Sequence, residues 1–315
     1  MARWPAGGPP PAEDGVALVT ALLVVALATT AAAALISQQQ IDFARTENLF
    51  NSEQAYQYGL GVESWAAGLL AADRTRSEID HVHEPWATRL EPVAADAAVV
   101  SGYIEDMQGR LNLNNLVEAG ETGVIAKERF QSLLGIIGAP LPIADALVHW
   151  LNTDGDTTSP KDRASEASRS KPPLEPVTKA KMVQVSELRL VEGVTQEIYR
   201  ALAPYVAALP AATAVNVNTA PAPVLMSLVP GLRESEAQSL IGARGKTGFA
   251  RVEGFLAQVS LLGRHANPLG LGVASDYFQT QAEVRIGRAR VHLTSLLWRP
   301  TTGLPQVILR SETAD

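Results

Sequence analysis

Hydrophobic positions follow three regimes along the chain. From Val16 to Ile36 the residues VALVTALLVVALATTAAAALI carry no charge, and Thr20, Thr29 and Thr30 are their only polar side chains. A helix rising about 1.5 Å per residue crosses a bilayer core of roughly 30 Å in about 20 residues, and this stretch has 21. A cleaved secretory segment has an apolar run of only about 7–15 residues, so the length favours a retained anchor over cleavage near Ala31–Ala34. No proline interrupts residues 37–72. Ile41, Ala44, Asn48, Ala55 and Tyr58 fall near helical spacing, and Leu60, Trp65, Leu69 and Leu70 extend the stripe. The pattern predicts one long helix: residues 16–36 in the membrane, and residues 37–72 as a stem packed on a globular part. Residues 1–15 form a short leader ahead of it.

The second regime has period two. Residues 73–96 are polar, carry Pro85 and Pro92, and read as a connection. Ala98–Glu105 and Arg110–Leu113 flank Gln108-Gly109, which predicts a hairpin. Near the C-terminus Phe278, Ala282, Val284 and Ile286 hold even positions. Ala289, Val291, Leu293 and Leu297 hold odd ones, with Gly287-Arg288 as the turn that switches parity. Arg285, Arg290, His292 and Thr294 then make a solvated face. Arg288, Arg290 and Arg299 could suggest an anion site, but a polar sheet face is the simpler reading. Pro305–Ser311 predicts a last strand. The sheet regions are 73–115 and 276–315.

The third regime is helical and spans roughly 116–275. It is thus an α+β chain, in which an N-terminal transmembrane and stem helix packs on a small antiparallel sheet that accepts a large α-helical insert. Within the insert, Glu187–Leu202 and Val224–Leu240 form an internal repeat, each an apolar helix, a turn at Gly193 or Gly231, and a second helix. This is a helix–hairpin–helix pattern, which in some proteins holds DNA phosphates on turn amides. Gly231-Leu232-Arg233 lacks the second turn glycine, and between Ser186 and Leu262 six basic residues are matched by six acids. Phosphate binding scales with the charges neutralised, so nucleic acid is a poor partner and protein contact a better one.

Composition adds exclusions. The formal charge is −7 and the mean hydropathy +0.05, an excess that comes from the anchor. With 46% hydrophobic and 19% charged residues the chain is not wholly disordered, and the absence of cysteine excludes disulfides, thiol catalysis and cysteine–metal sites. Asp154-Gly155-Asp156, with Asp162 and Glu166 downstream, gives the hard oxygen donors that calcium takes, without the spacing of an EF-hand. On the residues alone, a solubilising acidic loop outweighs a metal site. His81 and His83 read as loop residues, His149 as helical, His265 as a loop residue and His292 as part of a strand face. No H-E-x-x-H, G-x-S-x-G or Walker A sequence occurs, and no nucleophile, base and oxyanion site assemble in sequence. The chain reads as a non-enzyme.

Three blocks carry a resemblance: GVALVTALLVVALATTAAAALISQQQ, DMQGRLNLNN from Asp106 to Asn115, and VSELRLVEGVTQEIYRALAPYVAALP followed by VNVNTAPAPVLMSLVPGL. Together they resemble the minor pseudopilin K family of type II secretion systems. The resemblance implies a pseudopilin fold and cleavage by a prepilin peptidase between Gly15 and Val16. Glu13 and Asp14 stand where that family usually has a basic residue. The fifth residue after the cut is usually a glutamate that pairs with a neighbouring subunit's terminal amine. Here it is Thr20. An unpaired buried amine is costly, so the subunit is expected at the tip of the pseudopilus rather than beneath another. The resemblance further implies minor pseudopilins of the I and J types as partners, and structural calcium in the loop carrying Asp154, Asp156, Asp162 and Glu166. It also implies single-pass insertion in the bacterial inner membrane, with the bulk in the periplasm. The alternative is a membrane-anchored helix–hairpin–helix protein that binds DNA for uptake.

Overall fold

The computed structural model describes residues 14–152 and 181–314. Its longest element is α1, Asp14–Arg74, 61 residues with no proline to break it. Residues 16–50 are exposed along their whole length, and burial begins only at Asn51. From there Ala55, Gly59, Val62, Ala66 and Leu70 form one buried line with the three- and four-residue steps of a helix face. That line differs from the predicted stripe: Ile41 and Trp65 are exposed, and small residues take the inner positions. The reason is close approach. A Cβ at Gly59 would lie 3.3 Å from Leu293, and one at Gly102 would lie 2.7 Å from the Gln281 carbonyl and 3.0 Å from Val62.

The surface beneath the helix is a five-stranded antiparallel sheet. It is built from β1 (Leu90–Ala95), β2 (Ala98–Asp106), β7 (Tyr277–Ile286), β8 (Ala289–Trp298) and β9 (Gln306–Ala314), in the order β1-β2-β7-β8-β9. The predicted parity of β7 and β8 holds, with Ile286 opposite Ala289 across the turn. Phe278, Ala282, Val284, Ile286, Val291, Leu293 and Leu297 all face α1. Residues 73–96 are more than a connection, because they contain β1. Pro92 falls where the β1–β2 register shifts, on an edge strand that can spare its N–H.

The predicted hairpin does not form. Ala98–Asp106 pairs instead with β1 and with β7, while β3 (Leu111–Asn112) runs parallel to β4 (Val206–Ala207). Leu111 and Leu113 are buried in the insert's own core, together with Phe130, Leu133, Leu147 and Phe255. The insert carries α2 (Glu121–Ile136), α3 (Ile143–Asn152), α4 (Gln196–Leu202), α5 (Ala222–Leu228), α6 (Glu234–Ala243) and α7 (Val252–Leu261). A second short parallel pair joins β5 (Val215–Asn216) to β6 (Leu271–Gly272). Asp106, where the chain leaves the sheet, lies opposite Phe278, where it returns. Entry and exit are therefore neighbours, and the sheet accepts the insert without losing a strand pairing.

The two segments expected to form an internal repeat differ in structure. In the first, residues Val185–Leu190 form a 3-10 helix before α4, whereas the second uses the α-helices α5 and α6. Gly193 and Gly231 both take positive φ, 83° and 72°, a conformation that favours glycine.

Candidate functional site

Two regions are candidates for function: the anchor, and the joint where stem, sheet and insert meet. In the anchor, the exposed face includes Val16, Leu18, Leu22, Val25 and Leu35. A helix apolar all round belongs in lipid, where its backbone bonds are satisfied internally. Gly15 falls within α1, and Val16 opens the apolar run. The Thr20 hydroxyl donates to the carbonyls of Val16, at 3.0 Å, and Ala17, at 2.9 Å. Its polarity is thus consumed within its own helix, and it projects no charge toward a neighbour. Asp154, Asp156, Asp162 and Glu166 lie outside the described residues.

The joint is built largely from the DMQGRLNLNN block and the VNVNTA block. Asp106 ends β2 and caps the following 3-10 turn, its Oδ1 accepting from Gln108 N at 2.7 Å. Its Oδ2 accepts from Thr219 Oγ1 (2.6 Å), Ser275 Oγ (2.7 Å) and Asn216 Nδ2 (3.0 Å). Gly109 must be glycine, because a Cβ there would lie 2.7 Å from Thr219 Oγ1. Gln108 bridges Ala214 O and Asp276 N. The asparagines then staple loops. Asn112 accepts from Leu209 N and Asn114 N, and Asn114 exchanges hydrogen bonds with both backbone groups of Met182. Asn218 does the same with Phe249. Each amide offers both a donor and an acceptor, so one side chain can close a loop that no strand reaches.

Beneath this layer lies a buried ionic cluster that the hydrophobic pattern does not announce. Arg299, expected on a polar sheet face, follows the end of β8 and is 1% exposed. It donates to Asp73 Oδ2 at 3.0 Å, to both oxygens of Asp80 at 2.6 Å, and to Ser275 O. Its guanidinium also sits 4.6 Å from the ring centre of Phe278. Glu84 completes the group, accepting from Trp86 Nε1 at 2.7 Å and His81 N at 2.9 Å. Ligand oxygens of Asp73, Asp80 and Glu84 lie within 4.8 Å of one another, a spacing that would suit a cation. Arg299 already supplies the positive charge to Asp73 and Asp80.

One cation against several buried carboxylates leaves excess negative charge, and the acids respond. Burial pushes the Asp73 carboxyl up to about 6, aided by the nearby charges of Glu84 and Asp80 and opposed by Arg299. Burial likewise raises Asp106 to about 6, against the hydrogen bonds it accepts from Thr219, Ser275 and Gln108. Asp80 is raised by burial and held back by Arg299. The only sequence signal for this cluster is Arg299 standing one residue past the alternation of β8.

The hairpin turn before α6 does not present a free phosphate cradle. The Arg233 amide is already taken by Glu236 Oε2 at 2.8 Å, and Arg264 pairs with that carboxylate at 3.2 Å. An incoming phosphate would meet a carboxylate, which argues against DNA at this turn.

Models described as type II secretion system (T2SS), protein K, match residues 109–211 and 215–274. The type II secretion system protein K of Pseudomonas aeruginosa is 33% identical over 284 residues, covering 87% of this chain and 85% of that protein. The protein of the same name from Klebsiella pneumoniae is 31% identical over 272 residues, 81% of this chain and 83% of the relative. In fold, the chain is similar to one chain of the crystal structure of the GspK–GspI–GspJ complex from the enterotoxigenic Escherichia coli type 2 secretion system. The TM-score is 0.68 at 22% identity, covering 85% of this chain and 99% of that one. With the pseudopilin-like stem and sheet, the matched blocks of the insert and a relative above 30% identity over most of both chains, this protein belongs to the type II secretion system protein K family.

Proposed function

We propose that this chain is a minor pseudopilin that forms the tip of a periplasmic pseudopilus and helps initiate its assembly for protein export. Residues 16–36 anchor it in the bacterial inner membrane, and the C-terminal bulk lies in the periplasm. A prepilin peptidase cuts between Gly15 and Val16. Its partners are minor pseudopilins of the I and J types, a reading supported by the complex in which the structural relative was solved. Its role is structural rather than catalytic.

The observation that carries the reading is the anchor helix itself. One uninterrupted helix joins an uncharged membrane segment to a stem packed on the sheet, and its fifth residue after the proposed cut is a threonine turned onto its own backbone. A subunit with no acid there offers no partner for the terminal amine of a subunit stacked above it, and the tip position does not require one. Calcium binding by Asp154, Asp156, Asp162 and Glu166 belongs to the same reading and rests on donor chemistry and resemblance alone. Native mass spectrometry with added calcium is expected to show the bound ion, and an ion-free mass would remove this part.

The deciding experiment is the intact mass and N-terminal residue of membrane-extracted protein, made with and without a prepilin peptidase. A chain beginning at Val16 only when the peptidase is present supports the pseudopilin route. A chain that still begins at Met1, or begins after the alanine run, would overturn it.

A further inference from the structure

The face of the sheet turned away from α1 carries a cleft. It is open, holds about 610 Å³, and falls within the roughly 300–1,000 Å³ of small-molecule sites. Such sites gather where two folded units meet, and this one lies between β2 and the turn Ala203–Tyr205 of the insert.

Alternation decides what the sheet contributes. Gly102 and Ile104 of β2 face the stem, so Tyr103 and Glu105 point the other way, into the cleft. Gln281 of β7 stands directly opposite Tyr103. Arg110 pairs with Glu105 and donates to the Ala203 carbonyl at 3.4 Å, which ties the floor to the turn that carries Tyr205. Arg89 lies 4.3 Å from the centre of the Tyr103 ring. Burial pushes the Tyr103 hydroxyl up, helped by the charge of Glu105 and opposed by Arg89 and Arg110, so these groups converge on one place.

Three properties select the ligand. The charges balance, with Arg89 and Arg110 against Glu105 and Asp106, so an ion gains no net attraction. The backbone of β2 is paired on both sides, with β1 and β7, and offers no edge on which an extended polypeptide could add as a strand. What remains is the half-buried ring of Tyr205 beside Pro204 and Pro221, with side chains that donate, accept or, at Gln281, do both. A pyranose matches that set, because its C–H face is apolar and its hydroxyls donate and accept around the rim.

We propose that this cleft binds a neutral oligosaccharide, with one sugar ring laid on Tyr205 and its hydroxyls taken by Arg110, Glu105 and Gln281. The assignment depends neither on the membrane anchor nor on a cut before Val16.

The test uses the full chain in a zwitterionic detergent, which has no sugar head, and saturation-transfer NMR on chitotriose, maltotriose and cellotriose. At least one is expected to give a saturable signal, strongest on its ring C–H protons. Tyr205→Ala removes the stacking surface, and Gln281→Leu removes a hydroxyl partner. Each is expected to raise the half-saturating concentration about tenfold. Gln281→Leu alters only the open face of the sheet, so it tests the site even if Tyr205→Ala loosens the turn. No saturable signal from any of the three sugars would overturn the site, as would a half-saturation unchanged in either variant. Tighter binding of hexaproline than of every sugar would reassign the cleft to a polypeptide and overturn the proposal.

Discussion

At the scale of single residues, the most constrained position is Asp106, which serves four donors from three segments. Asp106→Asn keeps the shape but has one acceptor oxygen in place of two, leaving donors unmet. It is expected to cost about 1–3 kcal/mol, measured as a fall in the urea midpoint. Asp73 and Asp106 are both raised to about 6 by burial, so the folded chain holds their protons to higher pH than the unfolded chain does. Their contribution is full below about pH 4 and declines as pH rises to about 6. Unfolding midpoints between pH 4.5 and 6.5 are expected to fall with rising pH, and Asp106→Asn should flatten that slope. Thr20 lends itself to a different measurement. If the proposed cut and tip position hold, Thr20→Glu places an acid at the fifth residue after the proposed cut, so processing should be unchanged while site-specific cross-linking finds the subunit below the tip. Unchanged tip stoichiometry and secretion would count against the role given to Thr20.

At the scale of elements, the stem and sheet are held by close backbone approach rather than by large side chains. Gly102 sits under Val62 with no room for a Cβ. Gly102→Val is expected to lift the stem from β2 and expose Ala55 and Ala66 to faster amide exchange. Leu70→Ala leaves the helix in place but opens a cavity beside Trp86 and Phe278, at a cost of about 2–5 kcal/mol in denaturant unfolding. The ion pair of Glu63 with Arg310 ties the stem to β9 near the same helix face. The helical stripe foretells that the stem packs, but not which side faces in. Hydrophobicity ranks Trp65 above Ala66, while the narrow gap over the sheet selects the alanine.

At the scale of the whole molecule, Arg299 decides how the parts are joined. It links the last turn of α1 through Asp73, the loop at Asp80, the end of β8 and the return of the insert at Ser275. Arg299→Met would leave Asp73 and Asp80 buried without their cation, at an expected cost of about 3–5 kcal/mol. The loss should appear as a new protease site between residues 73 and 90 before the sheet itself unfolds. A matching effect at Asp80→Asn would assign it to the pair, and an effect at Arg299 alone would assign it to packing on Phe278.

The sequence by itself determined the anchor, the stem helix, the parity of β7 and β8, the helical middle and the family blocks. Each is written in local periodicity or in contiguous residues, where a side chain's surroundings follow from its neighbours along the chain. Only the tertiary structure decided that Ala98–Asp106 pairs with a strand more than 170 residues later, and that Gln108-Gly109 turns into the insert rather than into a hairpin. It alone gave Asp106, Asn112, Asn114 and Asn216 their loops to hold, and it alone brought Asp73 and Asp80 to Arg299. The physical reason is common to all of these. A polar side chain's burial depends on whether distant segments bring it partners, and no period along the chain records where those segments close.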